Sequence, residues 1–358
     1  MSGPITVVIV AEPIAALLSA AAIRAAHAIR EGYEHAAELR GEHAALHKAQ
    51  GAAQSAARQQ GMQALGAEAS AAEARFDQLR ALSEKLGIAG HVNATRPVRP
   101  ATGDPMALAA YARGLRLLAG DLQGILLTEA ARRREDLEPD DPGIAVPTGA
   151  SGGAVPQRAS ERLLARIAHL GALPEDIEKL ARELDGNPPG ERADLLATEL
   201  RRQIQGHVEK TQRRLVQEAT ATIVRQSLAD LGYEVEDIAD TLVVEGGMVH
   251  FRRRDWGDYM VRMRVDAAAG EANFNVVRAV DAGVNERSVM DHIAEDRWCA
   301  EFPALLRALE ARGVRLDVTR RLAAGELPVQ LVERGKLPKF SQEAGGPPAA
   351  KPRAREMK

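Results

Sequence analysis

The chain has 358 residues, with 47 Lys and Arg against 50 Asp and Glu, so no global charge draws it to nucleic acid or an anionic membrane. Its length allows two or three folding units, each able to bury a core without disulfides or metals. Apolar residues make up 45% but aromatics only 3%, which leaves Ala and Leu to build closely packed helices; the lone Cys299 excludes an internal disulfide and suits a reducing cytoplasm.

Ile5 to Ile23 is apolar except for Glu12 and Pro13, and no Lys or Arg precedes Arg24. That is neither a secretory signal nor an uninterrupted membrane span. Ile5 to Val10 reads as a short strand or extended arm, and Pro13 belongs to the first turn of a helix. From Pro13 to about Gln60, Ala, Glu, Gln, Arg and His predict a long exposed helix, with an apolar stripe at Ile14, Leu17, Leu18, Ala21, Ile29 and Tyr33. Gly51, Gly61 and Gly66 weaken the pattern and predict a reversal there. Met62, Leu65, Ala69, Ala72, Phe76 and Leu79 then alternate steps of three and four, a coiled-coil seam.

Ile88 to Asp104 reads as a loop. The helix expected from Pro105 carries Leu108, Tyr111, Leu115, Leu118, Leu122 and Ile125, and ends in Arg132 to Arg134, placed against the negative end of its dipole. These elements predict an antiparallel helical bundle over 1–137. Residues 138–156 hold four prolines and almost no large apolar side chain, so they are expected to link domains. A helical region over 157–232 follows, with short helices at 157–170 and 174–185 and a long helix from Glu191 to Leu231. Its apolar positions are Leu195, Leu200, Ile204, Leu215, Ile223 and Leu228.

Beyond Gly232 the period changes to two. Thr241 to Val244, Met248 to Arg253, Tyr259 to Val265 and Ala272 to Val280 read as four strands of an antiparallel meander. Ser288 caps a helix carrying Val289, Ile293, Trp298 and Phe302, restarted by Pro303 as far as Gly313 and packed on the sheet. The α+β domain therefore spans 233–340. Residues 341–358 lack a core and are expected to form a disordered basic tail; from Arg334 to Lys358 seven basic residues face two acidic ones. The fold class is mainly α with a C-terminal α+β part.

No catalytic, cofactor-binding or metal site emerges. Gly149-Ala150-Ser151-Gly152-Gly153 has nucleophile-elbow spacing but sits between Pro147 and Pro156, without the strand and helix that chemistry needs. His43 and His47 share a helix face, but Ala44 stands where a metalloprotease has Glu, and the nearby glutamates read as solvated surface. No phosphate-cradling loop is present, and Cys299 beside Trp298 reads as core.

The sheet carries the one candidate binding surface. Alternation places Val249 and Phe251 on one side of a strand and His250, Arg252 and Arg254 on the other. In the next strand Tyr259, Val261, Met263 and Val265 oppose Met260, Arg262 and Arg264. The two apolar sets share a core only through an odd-length or bulged connection, which predicts an irregular turn at Trp256-Gly257. His250, Arg252, Arg254, Arg262 and Arg264 are the candidate anion or partner contacts. The function expected is a noncatalytic, cytoplasmic coiled-coil scaffold or adaptor that binds protein partners through its helices, with a homo-oligomer possible. A nucleic-acid-binding accessory subunit, using the Arg-rich face and basic tail, is the alternative; membrane association is not expected.

Overall fold

The computed structural model describes residues 5–46, 53–85, 87, 97–100, 104–133, 159–236, 242–283, 286–338 and 340. The linker predicted over 138–156, the tail at 341–358 and most of the loop at 88–104 lie outside the described residues. The chain divides into two compact units, Ala11–Thr220 and Met1–Val10 with Ala221–Lys358.

The first unit is helical. Helix α1 (Pro13–Leu46) begins with Pro13, whose missing N–H costs nothing there, and the Glu12 carboxylate accepts from the Ala15 N–H at 2.6 Å. Helix α2 spans Ala53–Lys85 and α3 Pro105–Arg133. Gly61 and Gly66 lie inside α2 and mark no break; of the stretch predicted to hold a reversal, the part around Gly51, between Leu46 and Ala53, lies outside the described residues. Each glycine costs a helix about 1 kcal/mol, and the Ala, Gln and Glu around them outweigh it. The predicted seam is the core: Ala69, Ala72, Phe76 and Leu79 of α2 pack with Leu108, Tyr111, Leu115, Leu118, Leu122 and Leu126 of α3. Ile14, Leu18, Ala21 and Ala25 join them, so the start of α1 is buried rather than exposed.

Helices α1 and α3 run antiparallel, and glycine sets how closely they approach. Gly32 lies against Ala110, Gly114 against Ile29, and Arg24 pairs with Asp121 at 3.0 Å. A Cβ on Gly114 would stand 2.7 Å from Ile29 Cδ1 and 3.1 Å from the Ala25 carbonyl oxygen, too close for any residue but glycine. At the end of α3, Arg132 folds back onto the buried Glu129 at 2.6 Å, and Gln212 donates to the same carboxylate at 3.4 Å.

Helices α4 (Ala159–Ala165) and α5 (Glu175–Asp185) precede α6 (Glu191–Asp230), the long helix the sequence predicts. Ile177, Ala181 and Leu184 pack with Leu200, Ile204 and Val208. Leu195, expected in that stripe, is 66% exposed.

The second unit is an α/β layer pair. Its strands are β1 (Ile5–Ala11), β2 (Glu234–Val235), β3 (Gly247–Arg252), β4 (Tyr259–Asp266), β5 (Glu271–Val280), β6 (Val314–Arg321) and β7 (Gln330–Glu333). Their order is β2-β3-β4-β5-β1-β6, with β7 parallel to the C-terminal half of β5. The N-terminal strand thus enters the C-terminal sheet, pairing Ile5 with Phe274 and Val7 with Ala272. The strand predicted at Thr241 to Val244 is instead one helical turn, α7 (Leu242–Glu245). The ladder starts only at Gly247, after Gly246 turns the chain at φ 79°.

Val249, Phe251, Val261, Met263, Phe274 and Val276 share the inner face, as alternation demands. The β3–β4 connection contains the expected irregular turn, a 3-10 turn at Arg254–Trp256 closed by Gly257 at φ 59°. Helix α8 (Val289–Glu310) covers this face with Trp298, Phe302, Leu305 and Leu309. Trp298 lies 5.5 Å from Phe251 and 5.8 Å from Phe274 between ring centroids. Pro303 does not restart α8; it sits inside one continuous helix, whose buried stripe runs through it. Val289 and Ile293, expected on the packed side, are 83% and 50% exposed, because the buried stripe is set by Ala294 and Trp298, one position on.

Candidate anion-binding face

Cross-strand register orders the outer face into rows. The first holds Glu234, Arg252, Met260 and Val277; the second His250, Arg262 and Asn275; the third Met248, Arg264, Asn273 and Thr6; the fourth Asp266, Glu271 and Val8.

The first row is not a basic surface. Met260, Val277 and Ala279 form a small core with Leu337 and Phe340, which are 9% and 6% exposed. Arg252 is enclosed with them, its guanidinium carbon 4.6 Å from the Phe340 ring centroid and its Nε 3.4 Å from Glu234. Arg254 leaves the face for the 3-10 turn and reaches the same Glu234 at 2.9 Å. In the second row, His250 is buried and its Nδ1 lies 3.0 Å from Glu236, whose carboxylate also accepts the His250 backbone N–H at 2.9 Å. Three of the five candidates are therefore paired with acids, Glu234 in the short edge strand and Glu236 just after it. Glu234 and Glu236 flank Val235 with period two, a signal of that strand in the sequence.

Arg262 and Arg264 differ. Among the described residues neither forms an ion pair; Arg262 Nη2 donates to the neutral Gln330 Oε1, and Arg264 is exposed. Desolvation, then the charge of Arg264, push the Arg262 guanidinium below its ordinary pKa. Beside them Thr6 donates to Asn273 Oδ1 at 2.7 Å, which fixes the amide and leaves its Nδ2 as a donor.

At the rim of the inner face, Tyr233 donates to Glu301, which also accepts from Arg253 at 3.0 Å and Arg297 at 3.1 Å. Burial first, then that bond, hold the Tyr233 phenol above its ordinary pKa. These groups satisfy one another and offer no free nucleophile or base. A gap of about 10 Å³ within this unit, lined by apolar side chains including Val224, Met263, Phe274 and Leu305, is at the lower limit for one water and is a packing gap. Cys299 is half-buried, and desolvation raises its thiol pKa, which disfavours the thiolate.

Ser151 and His47 lie outside the described residues; His43 lies in α1, but its side chain is not among those described. No helix among the described residues is long and apolar enough to cross a membrane.

Sequence reasoning misses a second surface. Val289, Met290 and Ile293 project from the first two turns of α8 at 83%, 53% and 50% exposure. That end of the helix is held firmly: Ser288 and Asp291 form a reciprocal capping box, and Asp291 receives Tyr259 at 2.7 Å and Arg278 at 2.8 Å. No family model, curated protein or solved structure matches the chain.

Proposed function

We propose that the chain is a noncatalytic scaffold or adaptor subunit of an intracellular multiprotein assembly, meeting its partner through the start of α8. The apolar trio Val289, Met290 and Ile293 carries this reading. Single exposed hydrophobes are ordinary, but three large ones at positions one and four apart make a continuous patch on a helix. Their anchoring by Asp291 means that a partner would meet a preformed surface and would order little on binding. The test is purification of the full chain from its native cells beside a Val289→Ser, Ile293→Ser variant. Stoichiometric partners retained by the natural chain and lost by the variant support the reading; identical sets count against it.

A nucleic-acid-binding accessory role is the second reading, supported by the unpaired charges of Arg262 and Arg264. Asp266 and Glu271 on the same face would repel a polyanion, so it ranks below the first.

A further inference from the structure

We propose that Arg262, Arg264 and the side-chain amide of Asn273 form a binding site for a phosphate monoester on the outer face of the sheet. This goes beyond the scaffold reading, and either can fail alone.

The argument starts from an electrostatic imbalance. Arg262 and Arg264 are two residues apart on β4, so their Cα atoms are about 7 Å apart and both side chains leave the same face. Like charges set so close are unfavourable, and for the neighbouring arginines the fold offsets them: Glu234 pairs with both Arg252 and Arg254. Directly opposite Arg262 and Arg264 on β5 the register places neutral residues, while the acids Asp266 and Glu271 stand one row beyond Arg264 and form no ion pair with it among the described residues. Asn275 stands opposite Arg262, and Asn273 opposite Arg264. Gln330 accepts one guanidinium hydrogen without neutralising the charge.

Donor chemistry then selects the ligand. Thr6 occupies Asn273 Oδ1, so that amide keeps its N–H groups for donation, directly opposite Arg264 in the register and one row from Arg262. Two positive charges and a set of donors fit a group with nearly two negative charges and three acceptor oxygens, which describes a phosphate monoester. A carboxylate has one charge and two oxygens, and one arginine satisfies it. Nucleic acid carries its charge along a chain that would cross Asp266 and Glu271 in the next row.

The test follows the Arg side-chain Nε–Hε resonances of the full chain at fixed ionic strength, titrating O-phosphoserine, inorganic phosphate, acetate and a single-stranded oligonucleotide in turn. Phosphoserine should produce saturable shifts at Arg262 and Arg264, and not at Arg315, an exposed arginine already paired with Asp317. Arg264→Gln should weaken that binding about tenfold or more, and Arg262→Gln likewise, with unchanged circular dichroism. Equal shifts with acetate, response to inorganic phosphate but not phosphoserine, tighter binding of the oligonucleotide, or shifts of the same size at Arg315 would each overturn the assignment.

Discussion

Arg252 lies against the ring of Phe340, with 4.6 Å between guanidinium carbon and ring centroid, and the contact joins the last described residue to a strand 88 positions earlier (340 − 252). Phe340 and Leu337 thereby cover Met260, Val277 and Ala279, which alternation alone would leave on the solvent side. Phe340→Ala should cost about 3 kcal/mol in urea unfolding, the low end for a buried phenylalanine, since the cluster is small. A loss below about 0.5 kcal/mol would remove this segment from the fold.

Two glycine substitutions on α3 should have opposite signs. Gly114→Ala drives a methyl group into Ile29 and the Ala25 carbonyl, and should destabilise by about 1–3 kcal/mol. Gly120→Ala meets nothing within 4 Å and should stabilise by about 0.5–1 kcal/mol through helix propensity. Chemical denaturation of both variants reads the difference. Equal effects would mean that α1 and α3 do not approach as described.

Glu295 supplies a pH-dependent test. It is 5% exposed, and burial raises its carboxyl pKa, partly offset by the Gly325 N–H, which donates at 2.7 Å. A carboxyl group with a raised folded-state pKa stabilises the fold below its unfolded pKa, and that contribution is lost as pH rises through the folded value. Glu295→Gln keeps an acceptor for Gly325 without the charge. Its Tm should exceed that of the natural chain by about 2 °C or more at pH 7, with the gap narrowing toward pH 4. A variant less stable at pH 7 would show that the carboxylate is stabilised there.

The helices were legible because their signal is local. The predicted start of α6 at Glu191 matches, and its end differs by one residue, since Pro and Gly before it and Gly232 after it bound a continuous run. The seam from Met62 to Leu79 likewise forms the core of the helical unit. Three strands of the sheet follow from period two. What alternation does not encode is long-range pairing: nothing local in Ile5 to Val10 says that its partner is β5, more than 260 residues away. Strand β6 does alternate, Val314, Leu316 and Val318 against Arg315, Asp317 and Thr319, so that strand is a signal present but unread. In the candidate face, alternation places His250, Arg252, Arg262 and Arg264 on the outer side but not Arg254, which lies in the 3-10 turn, and it does not reveal the acids that pair with His250, Arg252 and Arg254. Glu234 and Glu236 act only once β2 is placed beside β3.

The scaffold reading is tested most directly by light scattering after size exclusion on the full chain, with the partners recovered from native cells added back. The natural chain should run in a complex heavier than its own 38.4 kDa, while Val289→Ser, Ile293→Ser, folded by circular dichroism, should return to 38.4 kDa. A natural chain that stays at 38.4 kDa with every recovered partner, or a variant that assembles as fully as the natural chain, would contradict it.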